Sequence, residues 1–167
     1  MQSARLLIRP IRKEDEISFI SGISNNSLCA AYGFPINMET ATARKIFTRF
    51  LNMGTAYSLI RINTETMIGF LLDVLPELPE SIASGLPRSG RTLAYSVFPE
   101  YQRRGYMEEA LRAYIPSIES DYIHCGHYPE NTPSKKLLQK LGFHEWTKHQ
   151  VGSSIIVDEI LCPVILT

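Results

Sequence analysis

The sequence predicts a mixed α/β fold of the α+β kind, a mostly antiparallel central sheet of about seven strands flanked by about four helices. A single domain over residues 1–167 is expected from this length. Three observations predict this. Short β-like runs and segments of helical period alternate in the order β-α-α-β-β-β-α-β-α-β-β. Two pairs of neighbouring runs are joined by short polar turns, Asn63-Thr64-Glu65-Thr66 and Gly152-Ser153. Such hairpins are antiparallel, so a purely parallel sheet is excluded. Finally, 44% hydrophobic and 20% charged residues in 167 suffice for a sizeable core without staples.

Arg5 to Arg12, rich in Leu and Ile, reads as the first strand. A helix is expected from Asp15, with Ile17, Ile20 and Ile23 as its apolar face, and Asn25-Asn26 and Gly33-Phe34-Pro35 read as breakers. A second helix runs from about Glu39 to Met53, because Ala43, Ile46, Phe47, Phe50 and Leu51 follow helical spacing before Gly54. Tyr57–Ile62 and Met67–Leu75 are strands around the first hairpin turn, and Pro76–Gly90 reads as a long loop. Thr92–Phe98 is a strand stopped by Pro99. Gln102-Arg103-Arg104-Gly105-Tyr106 then opens a helix whose apolar residues recur at Met107, Ala110, Leu111, Tyr114 and Ile115. Tyr122–His127 is a strand. Thr132–Leu141 is a helix with Thr132 as cap, Pro133 in its first turn and Gly142 as stop. His144–Val151 and Ser154–Ile165 form the last hairpin.

Charge narrows the function classes. Lys and Arg number 17, as do Asp and Glu, so the net charge is zero. A broad nucleic-acid surface would show a basic excess, so nucleic acid is not an expected partner, with a local patch only at Arg103 and Arg104. Cys29, Cys125 and Cys162 are widely spaced and odd in number, which suggests no disulfide framework. No apolar run approaches the length of a membrane span, and the opening residues lack a signal-type apolar core. The expectation is a cytoplasmic protein without membrane partners, monomeric or homodimeric. His124-Cys125-Gly126-His127 invites a metal reading, but on a strand Cys125 and His127 share one face and His124 the other. Two ligands make no site, and no metal is expected.

The segment with most chemical content is Leu93–Leu111. A strand that ends in a glycine-containing turn and feeds a helix N-terminus presents free N–H groups and a positive dipole end to an anion such as phosphate. The backbone of Arg103, Arg104, Gly105, Tyr106 and Met107 would form that cradle, with Gly105 allowing close approach and Gln102 and Arg104 adding side-chain contacts. The plainer reading, that Gly105 only starts a helix beside two solvated arginines, stands open on this pattern alone.

Gln102 and Gly105 match the Q/R-x-x-G-x-G/A turn of the GNAT superfamily of acyl-CoA-dependent N-acetyltransferases, with Met107 where that family has Gly or Ala. Asn131, Ser134 and Leu141-Gly142-Phe143 resemble its later N-x-x-[SA]…LGF element. Arg5 to Arg12 followed by Asp15 looks like the opening of the Rim-type branch, whose members acetylate ribosomal-protein N-termini. The resemblance covers nearly the whole chain and implies a GNAT fold with acetyl-CoA as co-substrate and an amine acceptor, either a peptide N-terminus or a small amine. It implies that Val97 and Phe98, on a splayed strand, face the pantetheine arm and the thioester carbonyl, and that Asn131 bonds the pantetheine amide. The tyrosine that many members use to protonate the thiolate falls at Leu138, so Ser134 is the catalytic candidate, with Tyr128 in reserve. For a general base Asp73, Tyr95, Glu100, Asp158 and Glu159 are equal candidates. The alternative from another class is a non-catalytic module of the same fold that binds CoA or a protein partner.

Overall fold

The computed structural model describes residues 1–162. Its elements are β1 (Leu6–Pro10), α1 (Glu16–Ile23), α2 (Asn26–Tyr32), α3 (Thr40–Met53), β2 (Ala56–Arg61), β3 (Thr66–Val74) and α4 (Glu80–Ala83). There follow β4 (Gly90–Val97), α5 (Tyr106–Tyr114), β5 (Tyr122–His127), α6 (Thr132–Lys140), β6 (His144–Val151) and β7 (Ser154–Leu161). The strands hydrogen-bond in the order β1-β2-β3-β4-β5-β7-β6. Pairs β1/β2, β2/β3, β5/β7 and β6/β7 are antiparallel and β4/β5 is parallel, so the sheet is mixed and mostly antiparallel as expected.

Two helices beyond the expected four appear. Asn25 and Gly33 do not break the chain but bracket α2. The Asn25 side chain accepts from the N–H groups of Ser27 and Leu28, and Gly33 takes the left-handed conformation of a C-cap. The short α4 interrupts the expected loop. Residues 163–165 of the expected last strand lie outside the described residues.

The chain divides into two compact units, one of Met1–Leu72 with Tyr95–Ser117 and one of Asp73–Ala94 with the chain from Ile118 onward. In the first, α3 turns Ala43, Phe47 and Phe50 inward. Phe19, Phe50 and Phe70 form an aromatic cluster with ring centroids 5.1–5.6 Å apart, joined by Phe47 at 5.4 Å from Phe19. The expected inner face of α1 is partly wrong. Ile17 is 84% exposed and Ile20 half-buried, while Ile23 is buried as expected, together with Phe19 and Gly22. The buried Asp15 carboxylate takes two bonds of 2.8 Å from Arg9, one of 2.6 Å from the Ser58 hydroxyl and one of 2.9 Å from the Arg12 N–H. This pins the start of α1 to β1 and β2.

In the second unit β7 lies between β5 and β6. Its register sets Cys125 opposite Glu159 and Gly126 opposite Asp158. On β6, His149 faces Ile156. Leu138 and Phe143 are buried, and the Trp146 indole N–H donates to the Ile82 carbonyl of α4 at 3.4 Å. The buried Cys29 of the first unit and Cys125 of the second are free thiols, as is the exposed Cys162.

Candidate active site

In the first unit the end of β4, a one-turn 3-10 helix at Pro99–Tyr101 and the start of α5 form one continuous feature. Phe98 is 1% exposed, and a Cβ on Gly22 would overlap its ring. Gly69 likewise lacks the side chain that would collide with the Ser96 carbonyl. Two glycines thus fix the strand end from helix and sheet sides. Phe98 N–H donates to the Ile68 carbonyl at 2.8 Å. Because alternate backbone groups of a strand point to opposite edges, Val97 directs its N–H and carbonyl to the other edge. Gln102 Nε2 donates to that Val97 carbonyl at 2.9 Å. Of the two positions expected to face an oxyanion, Val97 directs its N–H away from β3, and Phe98 is committed to β3.

The turn itself is left-handed at Arg103 (φ 60°) and at Gly105 (φ 77°). Gly105 is the N-cap of α5 and no side chain caps the helix, so the N–H groups of Tyr106, Met107 and Glu108 lack intrahelical acceptors. Tyr106, Ala110, Leu111 and Tyr114 form the buried face, while Met107 is half-buried and Gln102, Arg103 and Arg104 are exposed. Met107 therefore is not the core residue its helical phase suggested. Arg5 braces the turn. Its guanidinium donates to the Arg104 carbonyl at 3.1 Å and to Glu109 at 2.6 Å, and lies 4.4 Å from the centre of the Tyr106 ring. Burial raises the Glu109 pKa, but bonds from Ser3 and from the Arg5 backbone and side chain outweigh it and leave the carboxyl below its usual range. A hollow of about 530 Å³ lies here, lined among others by Ser3, Arg5, Gly105 and Arg112.

In the second unit Asn131, not Thr132, is the N-cap of α6, its Oδ1 accepting the Ser134 N–H at 3.3 Å. The Asn131 amide NH2 remains to donate elsewhere. Ser134 is half-buried in the first turn, and Leu138 is 0% exposed. Position 138 therefore packs in the core and offers no acid. Tyr128 is half-buried at the end of β5.

Most candidate bases are occupied. Asp73 is bound by Arg91 Nε at 2.6 Å, and Glu159 Oε1 lies 3.3 Å from His127 Nε2. Asp158 bridges two histidines, with Oδ1 2.9 Å from His124 Nε2 and Oδ2 2.7 Å from His149 Nδ1. Burial acts to raise the Asp158 pKa, but the two histidines reverse this and hold it below the usual carboxylate range. Thr92 Oγ1 extends the chain to His124 Nδ1 at 3.0 Å. Sequence reading missed His149, because only the strand register brings residues 124, 149 and 158 together. Among the described residues no group of three or more His, Cys, Asp or Glu is arranged to hold a metal ion, and no helix is long and apolar enough to cross a membrane.

A mixed, mostly antiparallel sheet whose fourth strand feeds an uncapped helix through a glycine turn defines an α+β fold with a cluster of backbone N–H groups suited to an anion. The chain belongs to the acetyltransferase (GNAT) domain family, whose model matches residues 5–144. No curated protein matches it in sequence. Among solved structures it is similar to a GNAT-family acetyltransferase from Bacillus anthracis, with TM-score 0.78, 18% identity and 97% of each chain covered. It is also similar to the ribosomal-protein-S5-alanine acetyltransferase of Vibrio fischeri, with TM-score 0.74, 15% identity, and 100% of this chain and 98% of that one covered. A third is the spermidine N-acetyltransferase of Vibrio cholerae in complex with CoA and spermine, with TM-score 0.69, 13% identity, and 95% and 96% covered. At these identities the likeness is one of fold.

Proposed function

We propose that this chain transfers the acetyl group of acetyl-CoA to a primary amine, a peptide N-terminus or a small-molecule amine, by direct attack in a ternary complex. The observation that carries the reading is the strand end, left-handed turn and uncapped α5 N-terminus of residues 97–107 in a member of the GNAT domain family. The turn N–H groups and the helix dipole suit the pyrophosphate. Val97 N–H suits the developing oxyanion. Asn131 holds the pantetheine through its amide NH2, and Ser134 hydrogen-bonds the leaving thiolate. Two neighbours of the same fold support an amine acceptor, being named for ribosomal-protein-S5-alanine and for spermidine. The opening strand's resemblance to the Rim-type branch favours the peptide terminus.

Calorimetric titration with acetyl-CoA, with dephospho-CoA for comparison, tests the cofactor half. The expected affinity is micromolar, about −8 kcal/mol. Release of CoA thiol across a panel of amines tests the transfer. Tight acetyl-CoA binding without CoA release from any amine would identify a non-catalytic binding module instead.

A further inference from the structure

Arg5 stands just before β1, yet its side chain reaches the turn before α5 within the same compact unit. Nη1 donates to the Arg104 carbonyl at 3.1 Å and Nε to Glu109 Oε2 at 2.6 Å. The other oxygen of Glu109 accepts from the Arg5 backbone N–H and from the Ser3 hydroxyl, each at 2.7 Å. The guanidinium also lies over the Tyr106 ring, 4.4 Å from its centre. A guanidinium is planar and presents its N–H groups in a fixed fork. With Nε anchored on a held carboxylate and the plane set against Tyr106, the direction of Nη1 is set too. The Arg5 side chain is 46% exposed, and an exposed ion pair adds little stability. What this arrangement supplies is direction.

The consequence falls on the next peptide. The Arg104–Gly105 bond is trans, and in a planar trans peptide the carbonyl and the following N–H point in opposite directions. Holding the Arg104 carbonyl on Arg5 therefore turns the Gly105 N–H to the face of the turn away from Arg5. That N–H has no hydrogen-bond partner among the described residues. Residue 105 itself does little to keep the plane in place. Rotating the peptide changes ψ of Arg104 and φ of Gly105 together, and glycine accepts φ of either sign. The orientation of this donor thus depends on a contact from a distant part of the sequence.

We propose that Arg5 is a positioning residue of the acetyl-CoA site. By holding the Arg104 carbonyl it aims the Gly105 N–H at the pyrophosphate, beside the free N–H groups of Tyr106 and Met107, a role that rests on the acetyltransferase reading above. Arg5 acts through the turn and not as a free positive charge, since Glu109 neutralises it at 2.6 Å. Ser3 and Glu109 complete the clamp by fixing the guanidinium. The segment ahead of β1 is in this way part of the machinery that binds the cofactor at the start of α5.

The test compares wild type, Arg5→Lys and Arg5→Ala in the full chain, with acetyl-CoA as the probe. Lysine keeps the charge but has no fork. Its ammonium is drawn to the Glu109 carboxylate, and the Arg104 carbonyl loses its donor. Calorimetric titration should give a Kd for acetyl-CoA raised roughly ten- to hundredfold in both variants, the range of one hydrogen bond to a charged group. In isotope-labelled wild type the Gly105 amide proton should move downfield on adding acetyl-CoA, and in Arg5→Lys it should stay in place. Thermal unfolding should put Arg5→Lys within about 2 °C of wild type, which separates lost aim from a damaged fold. If Arg5→Ala does not fold, Arg5→Lys decides alone. Wild-type affinity in Arg5→Lys would overturn the role, as would lost affinity with the Gly105 shift preserved. A Gly105 amide left unmoved in a wild type that binds acetyl-CoA would overturn it as well. A wild type that binds no acetyl-CoA would instead refute the cofactor reading itself, and the positioning role with it.

Discussion

Replacing Gly105 by valine isolates what the turn before α5 requires of its backbone. Gly105 has φ of +77°, and the heavy atom nearest to a Cβ at this position would be Arg5 Nη2 at 3.6 Å, an ordinary contact. Space is therefore not the obstacle, and the penalty is conformational. A side chain in the left-handed region costs roughly 1–2 kcal/mol, more for a β-branched one. Asparagine tolerates that region and serves as the control. If Gly105→Val keeps the turn, the cost appears as a Tm lower by about 2–4 °C per kcal/mol for a chain of this size. If the turn relaxes, the N–H groups of residues 105–107 rotate away and the cost falls on binding, a loss of at least roughly 5- to 30-fold in acetyl-CoA affinity. Calorimetric titration and thermal unfolding, run on wild type, Gly105→Asn and Gly105→Val, separate the two. The expected order of affinity is wild type, then asparagine, then valine. A valine variant that binds acetyl-CoA as tightly as wild type with unchanged Tm would refute the phosphate-turn assignment.

Ser134→Ala should lower kcat while leaving acetyl-CoA affinity within a few-fold, and unchanged turnover at saturating substrates would remove the serine from thiolate protonation. Gly22→Val should destabilise by at least about 2 kcal/mol, because its side chain would enter the Phe98 ring; urea unfolding checks this, and a shift of Phe98 should also weaken acetyl-CoA binding. Asp15→Asn should cost about 3 kcal/mol at neutral pH by leaving Arg9 unpaired. Burial raises the Asp15 pKa, but bonds from Arg9, Ser58 and the Arg12 N–H outweigh it and depress the folded value. The stabilisation is thus present above the usual carboxylate pKa of about 4 and lost as pH falls through the folded value. Urea midpoints of wild type and Asp15→Asn should converge only in acid, and a constant gap down to about pH 2 would count against the ion pair.

The strands and both hairpins were legible because period-two patterns with polar turns are local signals. Helix α3 was legible from its repeat of Ala43, Phe47 and Phe50. Helix α2 was not, since Asn25 and Gly33 carry the same signal whether they break a chain or cap a short helix. The α6 cap fell one residue from its expected place for a related reason. Asn131 and Thr132 are both good caps, and only geometry shows which side chain reaches the Ser134 N–H. In the site, the turn at Gly105 could be read because glycine marks it. The engagement of the Phe98 N–H with β3 could not, as backbone direction leaves no trace in side-chain identity. The chain of Thr92, His124, Asp158 and His149 needed the register of four strands, which no single segment encodes.

The bond from Gln102 to the Val97 carbonyl closes a loop over the four residues 98–101, and Arg5 ties the Arg104 carbonyl from outside. The turn is therefore already in place before any anion arrives. Fixing a residue's backbone costs roughly 1–2 kcal/mol, so four free residues here would subtract several kcal/mol from the affinity of whatever they must organise around. With the ordering built into folding, a phosphate ligand meets donors at rest. Association should then proceed in one kinetic step with little backbone rearrangement, and loosening the loop through Gln102→Ala should appear chiefly as a slower, conformationally gated on-rate.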